Sequence, residues 1–222
     1  MSKVVHPFAH RLGVLRDWRH RWFAIGPAYL ENLKPGVLLR EYLQKQLRGM
    51  YIGDIELERN TKSLRVIVKT SRPGLIIGRS GEGSQKLRAS IESFLRKHKL
   101  TVPDIKLDIE EIRSPESSAA IVAYMVAEGL EKRLPFRRVL KQTIEKVMAN
   151  RDVKGVRIVI SGMLGSGSMS RTEVLKKGRI PLQTIRADVD FAKERANLPL
   201  GVIGVKVWIY KGDVFAARGK DK

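Results

Sequence analysis

The sequence predicts an α+β protein made of two successive units. The first reads as helix, two strands, helix, strand, and the second as two helices followed by a mainly antiparallel sheet. Three observations predict this. Apolar residues recur at helical spacing after Pro27 and then alternate with period two through Leu64, Val66 and Val68, and a similar switch from helical to strand pattern follows residue 117. Between the two series, Arg113, Ser114, Pro115, Glu116 and Ser117 form a turn-rich linker. Finally, 222 residues with 43% hydrophobic content are enough for one or two buried cores.

In chain order, residues 1–24 mix basic, imidazole and aromatic groups, among them Lys3, His6, Arg11, Arg16, Trp18, Arg19, Arg21 and Trp22. Such a segment buries little surface by itself, so it is expected to be an extended arm that orders against RNA phosphates and bases. The first unit, 25–112, opens with a helical stretch that Pro35 and Gly36 should split and Gly49 should cap. Strands over 51–58 and 63–70 follow, then a loop from Arg72 to Gly81, a helix over 82–99 and a strand over 105–112. In the second unit, 113–212, helices are expected over 117–134 and 135–150, with Pro135 suited to a first turn. Strand signals follow over 155–161, through 173–176, around 182–189 and over 202–210. The polar tail 213–222 should fray.

Lys and Arg number 43 against 23 Asp and Glu, a formal charge of +20. This excess points to a polyanion. No apolar run approaches the roughly 20 residues that span a bilayer, and the cations are spread along the chain, so nucleic acid is favoured over a membrane surface. The absence of cysteine excludes disulfides, Cys-based zinc sites and thiolate catalysis, and it fits a reducing cytoplasm. No secretory leader pattern is present at the N-terminus.

The informative spacing is Gly78, Arg79, Ser80, Gly81, entered from Leu75, Ile76 and Ile77 and leaving into a helix. Two glycines around a two-residue tip let a nucleic-acid backbone approach closely. Amides at the start of the next helix then face phosphate, with Arg79 adding a cation and Ser80 a hydroxyl. This is the GxxG pattern that clamps about four backbone nucleotides in KH domains. From Gly74 the loop is one residue short of a Walker A motif and has Arg in place of its Lys. Near Gly165 and Gly167, Ser170 stands where a dinucleotide fingerprint needs Gly or Ala.

A second constellation is Arg137, Arg138 and Lys141, with Lys132 and Arg133 just before it. On a helix these three positions project to one side and make a ridge that can follow phosphates without reading bases; the plain alternative is a solvated helix face. No catalytic or metal site is expected. His6 and His10 are interrupted by Pro7, Glu110 and Glu111 point to opposite sides of a strand, and Ser166 and Ser168 have no His nearby in sequence. No cofactor is expected either. Two other readings compete: a free-standing KH regulator, which the second unit argues against, and a metal-dependent nuclease, which lacks a carboxylate cluster.

The series Val5-His6-Pro7, Arg11-Leu12-Gly13, Arg72 to Gly81, Phe136-Arg137-Arg138, Gly178 to Leu182, Arg186-Ala187-Asp188 and Gly201 to Ile209 resembles the bacterial ribosomal small-subunit protein three family across nearly the whole chain. The resemblance implies a type II KH domain followed by a C-terminal α+β domain in the head of the small ribosomal subunit. It implies contact with ribosomal RNA and with small-subunit proteins ten and fourteen, with proteins two, four and five as further candidates. It also implies that Arg137, Arg138 and Lys141 face mRNA where it enters and help unwind it. Two departures stand out: many relatives carry two basic residues at the loop tip where this chain has Ser80, which implies a weaker grip, and many have a longer C-terminal tail.

Overall fold

The computed structural model describes residues 5–60, 62–98, 104–165, 169–199 and 201–215. In chain order the elements are α1 (Pro7–His10), β1 (His20–Arg21), α2 (Pro27–Gln46), β2 (Ile52–Arg59), β3 (Ser63–Thr70), α3 (Pro73–Ile77) and a single 3-10 turn (Arg79–Gly81). Then come α4 (Glu82–Lys97), β4 (Asp104–Glu111), a second 3-10 turn (Pro115–Ser117), α5 (Ala119–Glu131), α6 (Phe136–Ala149), β5 (Gly155–Met163), β6 (Ser170–Gly178), β7 (Ala187–Leu198) and β8 (Gly201–Asp213). They form two compact units, Trp18–Arg113 and a second in which the N-terminal segment up to Asp17 joins the chain from Ser114 onward.

In the unit Trp18–Arg113 the sheet order is β1-β2-β3-β4, with β2 and β3 antiparallel and β3 and β4 parallel. The period-two pattern sets its two faces. Leu57, Leu64, Val66 and Ile105 turn toward α2 and α4, which bury Leu39, Leu43, Ile91 and Leu95 against them. The opposite face carries an ion-pair lattice: Lys69 to Glu56 at 2.7 Å, Arg21 to Glu58 at 2.9 Å, and Arg65 to Glu58 and Asp108. Helix α2 runs through Pro35 and Gly36, which the sequence reading expected to divide it. The proline leaves the carbonyl of residue 31 without its helical donor, yet the helix continues, and Pro35 is buried with Leu39 and Leu43.

The other unit has one antiparallel sheet in the order β6-β5-β8-β7. Helices α5 and α6 cover one face, where Val122, Val126, Leu140 and Ile144 meet Val156, Ile158, Ile160, Val205, Val207 and Ile209. The second face buries Val159, Val189, Trp208 and Tyr210 with Ile180, Leu182 and Phe191. Here the expected strand around 182–189 is corrected. Residues 182–186 form turns and β7 begins at Ala187, because Leu182 contributes packing rather than a ladder. Pro135 precedes α6 as its N-cap residue.

The expected extended arm is also corrected. Residues 7–10 are helical, residues 20–21 pair with β2, and Arg11 is fully buried. Its guanidinium donates to five backbone carbonyls: Ala187, Pro7 at 2.9 Å, Pro181 at 3.3 Å, Leu182 at 3.0 Å and Thr184 at 2.9 Å. A buried cation persists where so many dipoles face it. Burial lowers its pKa from the ordinary arginine value, opposed by the charge of Asp188.

Candidate RNA interface

The GxxG loop sits between α3 and α4. Gly78 (φ 70°) and Gly81 (φ 81°) hold left-handed backbone, and so does Ser80 between them (φ 52°). The chain thus reverses within the 3-10 turn and delivers Arg79 and Ser80 to solvent. The glycines differ in purpose. A Cβ on Gly81 would meet only the Ser84 Oγ at 3.9 Å, whereas one on Gly78 would lie 3.0 Å from the Gly83 nitrogen. Gly83, which the sequence reading did not single out, is the tightest: its Cβ would fall 2.4 Å from the Ile76 carbonyl oxygen. It lets α4 start directly against α3. Ser84 ties the turn by donating from its hydroxyl to the Gly81 carbonyl at 2.7 Å. Leu75 and Ile77 stay partly exposed beside the tip, so an apolar surface borders the polar one.

The ridge lies on α6. Val139, Leu140, Thr143, Ile144 and Val147 are buried, which fixes the helix's rotation and leaves Arg137, Arg138 and Lys141 exposed. None of the three enters an ion pair among the described residues. Arg137 and Arg138 occupy the first helical turn, which holds no acidic residue. The macrodipole favours anions there, so these cations are placed against local preference. The positive field extends to neighbours: the Arg137 and Arg171 guanidiniums lie 5.6 and 5.2 Å from the Phe136 ring centroid.

The helix before the ridge ends in a Schellman motif, with the Arg133 N–H bonded to the Leu130 carbonyl at 2.9 Å and the Leu134 N–H to Gly129 at 3.2 Å. Its left-handed residue, where glycine is usual, is Arg133 (φ 59°). An exposed cation is therefore held in a strained position at the head of the ridge. Sequence reading noticed the charge of Arg133 but not its conformation, and it missed Arg171, which a β-strand brings in from a distant part of the chain.

The remaining arm residues are placed as follows. Lys3 lies outside the described residues. The His6 ring stands edge-on to Phe191 with centroids 4.8 Å apart. Arg16 pairs with Asp188 at 2.6 Å, Arg19 with Asp54 at 2.8 Å, and Arg21 with Glu58 at 2.9 Å. The arm cations other than Lys3 are thus bound within their own units, and Arg11 is withdrawn from solvent altogether. Among the described residues no group of three or more His, Asp or Glu is arranged to hold a metal ion, and no helix is long and apolar enough to cross a membrane.

The KH domain family matches residues 38–117, and the family described as ribosomal protein S3, C-terminal domain, matches residues 126–209. A small ribosomal subunit protein uS3 from Caldicellulosiruptor saccharolyticus is 42% identical over 219 residues, covering 99% of this chain and 96% of its own. One of the same name from Pseudomonas fluorescens is 39% identical over 221 residues, covering 100% of this chain and 94% of its own. With the loop on its KH fold, the ridge on the second unit and this similarity along the whole length, the chain belongs to the uS3 family of small ribosomal subunit proteins.

Proposed function

We propose that this chain, as a structural protein of the cytoplasmic small ribosomal subunit, anchors ribosomal RNA in the subunit head and holds mRNA where it enters. The two surfaces divide the work. The GxxG loop offers backbone amides, Arg79 and the exposed Leu75 and Ile77 to an RNA strand. The α6 ridge offers Arg137, Arg138 and Lys141 to phosphates with no base-reading groups, which suits a message of any sequence. Small-subunit proteins ten and fourteen, and further two, four and five, are the proposed protein neighbours on family resemblance.

The observation that carries the messenger reading is the ridge itself: three exposed cations without ion pairs on a helix whose opposite side is locked in the core. Two of them oppose the helix dipole. Replacing all three with Ala keeps strong helix formers in place. Ribosomes with the triple variant should assemble normally, translate unstructured messages at near wild-type speed and slow on messages with stable downstream hairpins. Failure to enter subunits would make the ridge a ribosomal RNA anchor, and wild-type rates on both messages would make it a solvated face.

A further inference from the structure

Beside the ridge lies a cavity of about 680 Å³ whose walls come from the α5–α6 turn, the end of β5, the start of β6 and the β7–β8 hairpin. Its lining is largely apolar, with Leu130, Leu134, Met163, Val202 and Ile203 and the side of Phe136. Among the described lining residues Arg133 is the only charged one, and there is no carboxylate. The Arg137 and Arg171 guanidiniums stand over the same Phe136 ring that forms part of the wall. An apolar hollow of ligand size therefore opens between cations that suit phosphate.

We propose that this cavity receives an unpaired nucleobase from the RNA strand whose phosphates lie along the ridge. This rests on the ridge reading given above and adds to it a place for the base. A single strand presents an apolar, stackable ring on one side of its backbone and an anion on the other. The cavity and its rim offer the complements in the same order. Phe136 supplies an aromatic wall, and Arg133, held in its left-handed conformation, stands at the border between cavity and phosphate track. The scarcity of polar lining groups implies that all four bases are accepted with little discrimination, as a messenger-handling surface requires. A base held here cannot pair with its complement, so the cavity gives the ridge a direct means of keeping a melted strand open. An apolar segment of a neighbouring protein is the other conceivable occupant, but the cationic rim favours a polyanion.

The test uses the full chain carrying Arg79→Asp and Ser80→Asp, which silences the GxxG loop so that the remaining binding reports the second unit. A short single-stranded RNA is compared with an abasic strand of the same phosphate number. The expected result is roughly five- to hundredfold tighter binding of the strand with bases. Adding Val202→Trp, a change at an exposed lip residue that fills the cavity without removing a cation, should erase the difference while leaving the abasic strand's affinity unchanged. Equal binding of both strands before that change overturns the base site and leaves the ridge reading standing. Loss of all binding overturns both. Independently of any variant, messages carrying 4-thiouridine in intact wild-type subunits should crosslink to residues 130–136, 162–165, 198–199 or 201–203. Absence of adducts there means that something else fills the cavity, and overturns the inference.

Discussion

The Arg11 guanidinium donates its Nε–H to the carbonyl of Ala187, 176 residues further along the chain. The same group holds the carbonyls of Pro181, Leu182 and Thr184, so one side chain sets the course of the whole 181–187 turn segment and binds the N-terminal helix to it. Arg11→Met would leave several buried carbonyls without donors, at about 1–3 kcal/mol for each that water cannot reach. A loss of at least about 3 kcal/mol is expected in denaturant unfolding, with Arg11→Lys recovering only part because an ammonium has three donors and no planar fork. Stability within about 1 kcal/mol of wild type for Arg11→Met would show that the turn holds itself.

The loop separates binding from packing. Arg79→Asp with Ser80→Asp keeps both glycines, and Asp tolerates the left-handed backbone at position 80, so the fold should survive while single-stranded RNA affinity falls at least tenfold. Gly83→Ala should do the reverse of a surface change. Its methyl would fall 2.4 Å from the Ile76 carbonyl oxygen, so α3 and α4 must separate and the unit Trp18–Arg113 should melt earlier. The same crowding, milder at 3.0 Å, makes Gly78→Asp a poor probe of RNA contact alone. Thermal melts beside filter-binding affinities decide between these outcomes.

Arg133 trades stability for charge. Arg133→Gly should stabilise the α5 C-terminus by roughly 1 kcal/mol, since glycine takes the left-handed position without strain. RNA binding should weaken at the same time, and the slope of log affinity against log salt should fall by about one. A variant that is more stable yet binds as wild type would show that this cation does not touch phosphate.

His20 gives the Trp18–Arg113 unit a pH response. Burial first, then the charges of Arg40 and Arg19, hold its imidazole pKa below the ordinary value. As pH falls below about 6.5 the unfolded chain takes up a proton that the folded form refuses, so stability drops until the folded imidazole is also protonated. The slope cannot exceed about 1.4 kcal/mol per pH unit from this one group. His20→Gln should flatten it. Asp54 opposes the trend, because burial raises its carboxyl pKa despite Arg19 and Arg40, so its folded form gains a proton before the unfolded one and acid adds stability. Amide exchange of β2 between pH 7 and 5, in an Asp54→Asn background, isolates the histidine contribution. An unchanged slope in His20→Gln would assign the response elsewhere.

What the sequence determined by itself is whatever depends on near neighbours. The alternation through Leu64, Val66 and Val68 places one face of β3 in the core, and the apolar side of α6 dictates that Arg137, Arg138 and Lys141 face out. The GxxG spacing locates a sharp reversal because only a few residues need adopt unusual backbone, and those residues are adjacent. Net charge identified the class of partner, since a sum over the chain needs no coordinates. Tertiary structure decided the rest, for the complementary reason. Arg11 looked like an RNA-binding cation, and its five carbonyl partners include four that lie 170 or more residues away. Arg16 found Asp188 in the same way. Pro35 stays inside α2, buried on the same helix as Leu39 and Leu43, which no local propensity rule records. Arg171 joins Phe136 only through the pairing of β6 with β5, and the cavity beside the ridge exists only where a helix turn and two hairpin ends converge. Whether a charge binds RNA or is spent within the fold depends on which dipoles surround it after folding, and that is a property of the assembled chain.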